Sequence, residues 1–199
     1  GDCPGLNAAI RAVVKHASGV HGIEVVGVRD AFKGLYEAEF EPLPASRVRG
    51  LLDRGGTILG SSNRANPFAY PMGMKDGELV TEDVSELCVE NARKAGLEAL
   101  IVVGGDGTQG IAYKMMEKGL PVVGIPKTID NDLEATEFTI GYQTAVDIAT
   151  EAIDRLHSTA ESHDRIILCE VMGRYAGWIA LNAGISSGAE VILIPEIDY

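Results

Sequence analysis

The feature that most restricts the fold is a pair of short apolar stretches, Leu97–Val103 and Pro121–Ile125, joined by a glycine turn and one helix-length segment. Each reads as a strand buried on both faces. Such strands, separated by helices, build parallel sheets with helices on either side. The turn is Gly104-Gly105-Asp106-Gly107-Thr108, and Thr108–Lys118 is the helix. The same rhythm extends through the chain. Leu6, Ala9, Ile10, Val13, Val14 and Ala17 form one stripe on a helix ending near Gly19, followed by a strand at Ile23–Val28. A helix is predicted near Ala45–Arg54, then a loop rich in Gly, Ser, Asn and Pro over Gly55–Gly73. Val84, Leu87, Cys88, Ala92 and Ala95 mark another helix, and Ala145, Ile148, Ala149, Ala152, Ile153 and Leu156 mark one over Tyr142–His157. Arg165–Val171 and Glu190–Ile194 read as strands flanking a helix over about Tyr175–Ala183. The fold class is α/β, doubly wound, with mostly parallel sheets in two Rossmann-like domains. The polar stretch Glu134–Thr139 is the one plausible join, giving domains 1–137 and 138–199.

Composition narrows the function. The chain has 199 residues with 17 basic and 29 acidic side chains, a net charge of −12, and 46% of its residues are apolar, enough for a real core. An acidic surface repels phosphate backbones, which argues against nucleic acid but leaves room for small anions held by local cations and amides. No apolar run is long enough to span a bilayer. Cys3, Cys88 and Cys169 are widely spaced and match no disulfide or zinc pattern, so they read as buried or half-buried free thiols of a cytoplasmic protein. The start at Gly1 rather than Met, and the stop just after an apolar strand, read as a piece truncated at both ends.

In doubly wound sheets, ligands gather at the carboxyl ends of strands. Three loops there carry chemistry. Gly104–Thr108 opens a helix whose free amides favour an anion. Asp106 either holds Mg²⁺ against a polyphosphate or simply caps the helix, and the loop alone does not choose between these. Pro126-Lys127-Thr128-Ile129-Asp130-Asn131-Asp132 packs two carboxylates, an amide, a lysine and a hydroxyl into one turn. An Asx-turn cluster on the surface is the plain alternative, and the density of functional types favours chemistry. An ordinary aspartate, with a pKa near 3.9, takes an alcohol's proton only as the oxygen acquires its new bond, as in phosphoryl transfer. In Met172-Gly173-Arg174-Tyr175-Ala176-Gly177-Trp178, a cation stands beside a helix start, which makes sense if an anion shares the site; a solvated loop arginine is the alternative. Trp178 reads as core.

In this order and spacing, the loops resemble those of the phosphofructokinase family, over essentially the whole chain. Gly1–Arg11 (Gly-Asp-Cys-Pro-Gly-Leu-Asn-Ala-Ala-Ile-Arg) matches the loop after that family's first strand. Gly104–Thr108 matches its donor-phosphate motif, Pro126–Asp132 its catalytic loop and Met172–Trp178 its sugar-binding loop. The resemblance implies a phosphofructokinase-like fold and transfer of a phosphoryl group to the 1-hydroxyl of fructose 6-phosphate. It places Asp130 as proton acceptor beside Lys127, Thr128 and Ile129, and Asp106 on Mg²⁺. Gly1, Gly105, Gly107 and Thr108 fall on donor positions, and Arg64 matches an ATP-contacting arginine in a run, Ser61–Arg64, one residue longer than the family pattern. Met172, Gly173 and Arg174 match sugar-phosphate contacts. Arg165 matches an arginine that reaches across a subunit interface, which implies a homo-oligomer. Further sugar-binding residues lie outside this chain, so the piece alone is expected to turn over little.

Donor identity turns on two residues. Gly107 leaves room for a nucleotide's α-phosphate where pyrophosphate-using relatives place Asp, whereas Lys127 resembles the pyrophosphate users. Because an obstruction decides whether ATP fits at all, Gly107 weighs more, and ATP is the expected donor. His157 and Lys15 stand where nucleotide-regulated bacterial enzymes carry Arg, while Gly188, Ala189 and Glu190 still fit the effector loop; activation by ADP is therefore not expected. His157 and His163 read as surface or interface residues. Glu196 has no matched role. Lipid and NAD kinases share the glycine loop but give no reason for the other two loops. A non-catalytic nucleotide-binding subunit has no use for both Asp106 and Asp130. A Rossmann dehydrogenase lacks its GxGxxG.

Overall fold

The computed structural model describes residues 2–198, arranged as two compact units, Gly1–Pro126 and Lys127–Tyr199. The first contains α1 (Leu6–His21), β1 (Val26–Val28), α2 (Phe32–Glu37), β2 (Phe40–Pro42), β3 (Tyr70–Lys75), β4 (Glu78–Glu82), α3 (Ser85–Lys94), β5 (Leu100–Gly104) and α4 (Asp106–Glu117). β6 (Val122–Thr128) runs through the join, and the second unit continues with β7 (Ile140–Gly141), α5 (Tyr142–Ser162) and α6 (Trp178–Ser187).

The two apolar stretches that opened the sequence reading are β5 and β6, and they pair in parallel from Leu100–Val122 to Gly104–Pro126, but they are not buried on both faces, since Ile101 and Val123 are exposed. Their crossover is α4, whose Ala112 and Met115 are buried with Cys88, Val89 and Ala92 of α3 and with Val102 and Leu120. A second cluster joins Val14 of α1 to Leu43, Val48 and Leu51. In the second unit, the last residues of β6 pair in parallel with β7, Lys127 with Ile140 and Thr128 with Gly141. There, Tyr142 and Val146 of α5 pack on Ile179 and Ala183 of α6. The packing join precedes the polar stretch Glu134–Thr139, which lies in the second unit.

Several expectations need correction. Ala45–Arg54 is a string of turns, not a helix. Gly50 takes φ +71°, which breaks a helical run, and the buried Asn7 side chain donates to the carbonyls of Arg54 and Gly55 at 3.1 and 3.0 Å while accepting from Ile58 N–H at 2.8 Å. Val48 and Leu51 still reach the core, so apolar spacing there reports burial without helix. The predicted loop gives way at Tyr70 to an antiparallel hairpin, β3–β4, closed by Asp76 and Gly77, both at positive φ.

Arg165–Val171 and Glu190–Ile194 are not strands: no ladder joins them among the described residues, and Ile166 and Leu168 are exposed. A continuous apolar run signals two faces fit for burial, but a strand also needs a neighbour to share its backbone bonds. Cys169 on the first of these segments is exposed, contrary to expectation, whereas Cys3 and Cys88 are buried. Burial pushes the Cys88 thiol up to about 11, which leaves it unreactive. Trp178 is not core either. It opens α6 and is 48% exposed, and the helix begins at Trp178 rather than Tyr175, after Arg174 in the left-handed region at φ +56°. No helix among the described residues is long and apolar enough to cross a membrane.

Candidate active site

Two loops supply most of the expected site residues, and each is built within one unit. The first is the turn from β5 into α4. Its N-cap is Gly105, and no side chain caps the helix. Asp106 is therefore the first helical residue rather than the cap, which removes the plain reading of that aspartate. Asp106 and Gly107 are exposed and Thr108 is half-buried. Among the described residues the Asp106 carboxylate has no hydrogen bond and no ion pair.

Two glycines let this turn sit tightly on the strand ends. A Cβ on Gly104 would lie 2.4 Å from the Thr108 Cβ, and one on Gly124 would lie 2.1 Å from Gln109 Oε1. Gln109 Nε2 donates to the carbonyls of Gly104 and Ile125, both at 3.0 Å, and so ties the ends of β5 and β6 to the first turn of α4. Gln109 was not singled out from the sequence; its signal is a polar residue at a helix start facing a glycine in the next strand. Gly107 is different, since a Cβ there meets nothing within 4 Å.

These features suit a divalent cation that reaches the protein through one carboxylate and otherwise through phosphate oxygens and water. No group of three or more acidic, His or Cys side chains gathers into an all-protein cage among the described residues.

The second loop follows β6. Lys127 is buried and Thr128, Ile129, Asp130 and Asn131 are half-buried, while Asp132 is exposed. Thr128 Oγ1 accepts the Asp130 N–H at 3.1 Å. Asn131 adopts φ +52°, accepts Thr139 N–H at 2.9 Å and donates to Glu137 O at 3.0 Å. Thr139 donates its hydroxyl proton to Thr128 O at 2.6 Å. The turn is thus closed by its own return segment, and Thr139, which makes that closure, is a residue that sequence reasoning missed.

Burial pushes the Asp130 carboxyl above the ordinary aspartate range. The Asp132 carboxylate adds to the shift and the Arg174 guanidinium opposes it. The structure therefore brings Asp130, Asp132 and Arg174 into one electrostatic neighbourhood. Arg174 stacks on the Tyr175 ring, 4.9 Å from its centroid, and is exposed like Met172. Gly173 is required, because it holds φ +145° and a Cβ would lie 2.4 Å from Ala176 O.

Glu196, which had no role from sequence, accepts the N–H of Gly177 at 2.8 Å and places a carboxylate at the start of α6. His157 Nε2 lies 2.8 Å from Ser187 O, so it joins α5 to the end of α6. Arg64 and Arg165 are exposed and their guanidinium groups have no partner among the described residues. The Gly1 donor expectation lies outside the described residues. A groove of about 860 Å³ opens among Asn131, Asp132, Phe138, Tyr142, Trp178 and Asn182, but Thr128, Asp130 and Arg174 do not line it.

A parallel strand pair whose glycine turn feeds a helix N-terminus belongs to the α/β class, and the free amides at that terminus favour an anion. The comparisons name the family. A family model described as Phosphofructokinase matches residues 1–199. A Clostridium perfringens protein named ATP-dependent 6-phosphofructokinase 2 is 56% identical over 199 residues, covering 100% of this chain and 54% of its own length. A Streptomyces coelicolor protein named pyrophosphate–fructose 6-phosphate 1-phosphotransferase is 53% identical over 197 residues, covering 98% and 54%. The solved structure of phosphofructokinase from Saccharomyces cerevisiae superposes with a TM-score of 0.81 at 34% identity, covering 98% of this chain and 28% of that one. The chain belongs to the phosphofructokinase family, and it spans about half the length of the curated relatives it matches.

The Gln109 tie gives a stability prediction. Gly124→Ala displaces the glutamine amide and strands two carbonyls, a cost of about 1–3 kcal/mol. Denaturant midpoints of the intact protein check it. Adding Gln109→Ala in that background should cost little more, because both changes remove the same bonds; full additivity of the two losses contradicts the tie.

Proposed function

We propose that the protein containing this chain is a 6-phosphofructokinase that transfers the γ-phosphoryl group of ATP to the 1-hydroxyl of fructose 6-phosphate. The observation that carries this reading is Asp130: a half-buried carboxylate, raised in pKa, on a turn held by its own hydrogen bonds. Those are the properties of a positioned base rather than of a surface Asx turn. Asp130 takes the proton of the 1-hydroxyl as that oxygen bonds to phosphorus, and the bond to the ADP leaving oxygen breaks. Thr128 and Ile129 line the acceptor beside it, and Lys127 opposes charge that develops during transfer. Met172, Gly173 and Arg174 hold the sugar phosphate, with Arg165 reaching a neighbouring subunit of a homo-oligomer.

On the donor side, the amides of Gly105, Gly107 and Thr108 at the start of α4 take phosphate oxygens, with Arg64 on the nucleotide and Gly1 completing the set. Asp106 would hold Mg²⁺, which when bound would supply charge neutralisation on the polyphosphate. Residues 1–137 form the donor domain and 138–199 begin the sugar-phosphate domain. The place of work is the cytoplasm.

Donor choice has a second reading, because relatives named for ATP and for pyrophosphate match this chain almost equally well. Gly107 supports ATP. Open space around its Cβ means that the protein itself tolerates a side chain there, so any penalty falls on the donor.

Two outcomes test the reading in the intact protein. Asp130→Asn should lower kcat by roughly 10²–10⁴-fold, the usual worth of a general base, with the fold unchanged. Near-parent turnover would remove Asp130 from the role. Gly107→Asp should cost ATP-dependent turnover far more than pyrophosphate-dependent turnover, measured side by side; equal losses overturn the steric argument for ATP.

A further inference from the structure

The return segment of the acceptor loop holds a buried polar side chain that packing does not explain. Thr139 is 3% exposed. A hydroxyl in such a place costs stability unless it is bonded, and a valine of nearly the same shape would fill the space. Its one proton goes to Thr128 O at 2.6 Å, since its distance to Asn131 Oδ1 is longer, at 3.3 Å. Its backbone N–H donates to that same Asn131 oxygen at 2.9 Å. Thr128 and Asn131 bracket Ile129 and Asp130 in sequence, so one residue holds the backbone carbonyl on one side of Asp130 and the Asn131 side chain on the other. The Asn131 amide completes the closure through Glu137 O, and the left-handed backbone at Asn131 turns the chain back toward Thr139.

We infer that Thr139 is a positioning residue, whose hydroxyl holds the Thr128–Asn131 turn in the shape that presents Asp130 to the acceptor hydroxyl. This rests on the reading of Asp130 as proton acceptor. Thr139 touches no reacting atom and acts through Thr128 and Asn131. The ionisable groups acting on Asp130 are Asp132 of the same loop and Arg174 of the Met172–Trp178 loop, and neither bonds to Thr139. Removing the hydroxyl leaves both charges in place and loosens the turn. Water then reaches the Asp130 carboxylate and relieves the burial that raises its pKa.

The test uses the intact protein with ATP and fructose 6-phosphate, and compares Thr139→Val, Thr139→Ser and Asp130→Asn. Thr139→Val should lower kcat by roughly 100-fold, the scale of a misplaced catalytic group, and leave the KM for ATP unchanged. The acid limb of its kcat–pH profile should move to lower pH, because a better hydrated Asp130 deprotonates earlier. Thr139→Ser keeps the donor and should return kcat and limb to near the parent values. Asn131→Gly keeps the left-handed backbone but removes both amide bonds, and should shift kcat and limb in the same directions; it decides the matter if Thr139→Val does not fold. The inference is overturned if Asp130→Asn is inactive while Thr139→Val keeps the parent kcat and limb. It is also overturned if Thr139→Ser falls as far as Thr139→Val, which would make the role one of packing. Parent-like turnover in Asp130→Asn instead removes the base reading on which the inference stands.

Discussion

The close seating of the first turn of α4 on the carboxyl ends of β5 and β6 is the constraint from which the Gly104–Thr108 turn follows. It works because two side chains are missing. Gly104 leaves room for Thr108 and Gly124 leaves room for Gln109, whose amide then binds the carbonyl at each strand end. With the helix start anchored from beneath, no side chain has to cap it, and Asp106 is left with an exposed carboxylate at a terminus that already favours anions. An acid spared from local bonding is free to bind something else.

The loop after β6 solves the opposite problem. It carries an acid that is partly withdrawn from water, on a turn that is held by hydrogen bonds. Here the fixing bonds belong to Thr128, Asn131 and Thr139, and the Asp130 carboxylate is left out of them. The two acids therefore sit in contrasting settings, Asp106 in solvent and Asp130 half-buried with a raised pKa. The proposed division of work gives the metal to the solvated acid and the proton to the sheltered one.

Much of this was legible in the residues. β5, α4 and β6 follow from two apolar stretches around a glycine turn, and α5 from a helical stripe of six residues. The three loops were visible as dense runs of functional types. What sequence concealed was partnership. Thr139 and Gln109 are ordinary polar residues until the fold places carbonyls within their reach. Val48 and Leu51 are spaced like a helix and are buried, yet Gly50 and the Asn7 side chain hold that segment in turns. Ile166 and Leu168 have the composition of a buried strand without a ladder among the described residues. The hairpin β3–β4 was available from Asp76-Gly77, a turn pair suited to its positive φ angles, but Pro71 and Gly73 in the first strand disguised it.

The central claim is that burial on this loop makes Asp130 a stronger base than an ordinary aspartate. Isotope-edited infrared titration of the intact protein, with Asp130→Asn subtracted, observes that carboxyl directly. The account predicts a midpoint above the ordinary value near 3.9, falling toward it when Thr139→Val opens the loop. A midpoint at or below the ordinary value in the parent protein would contradict it.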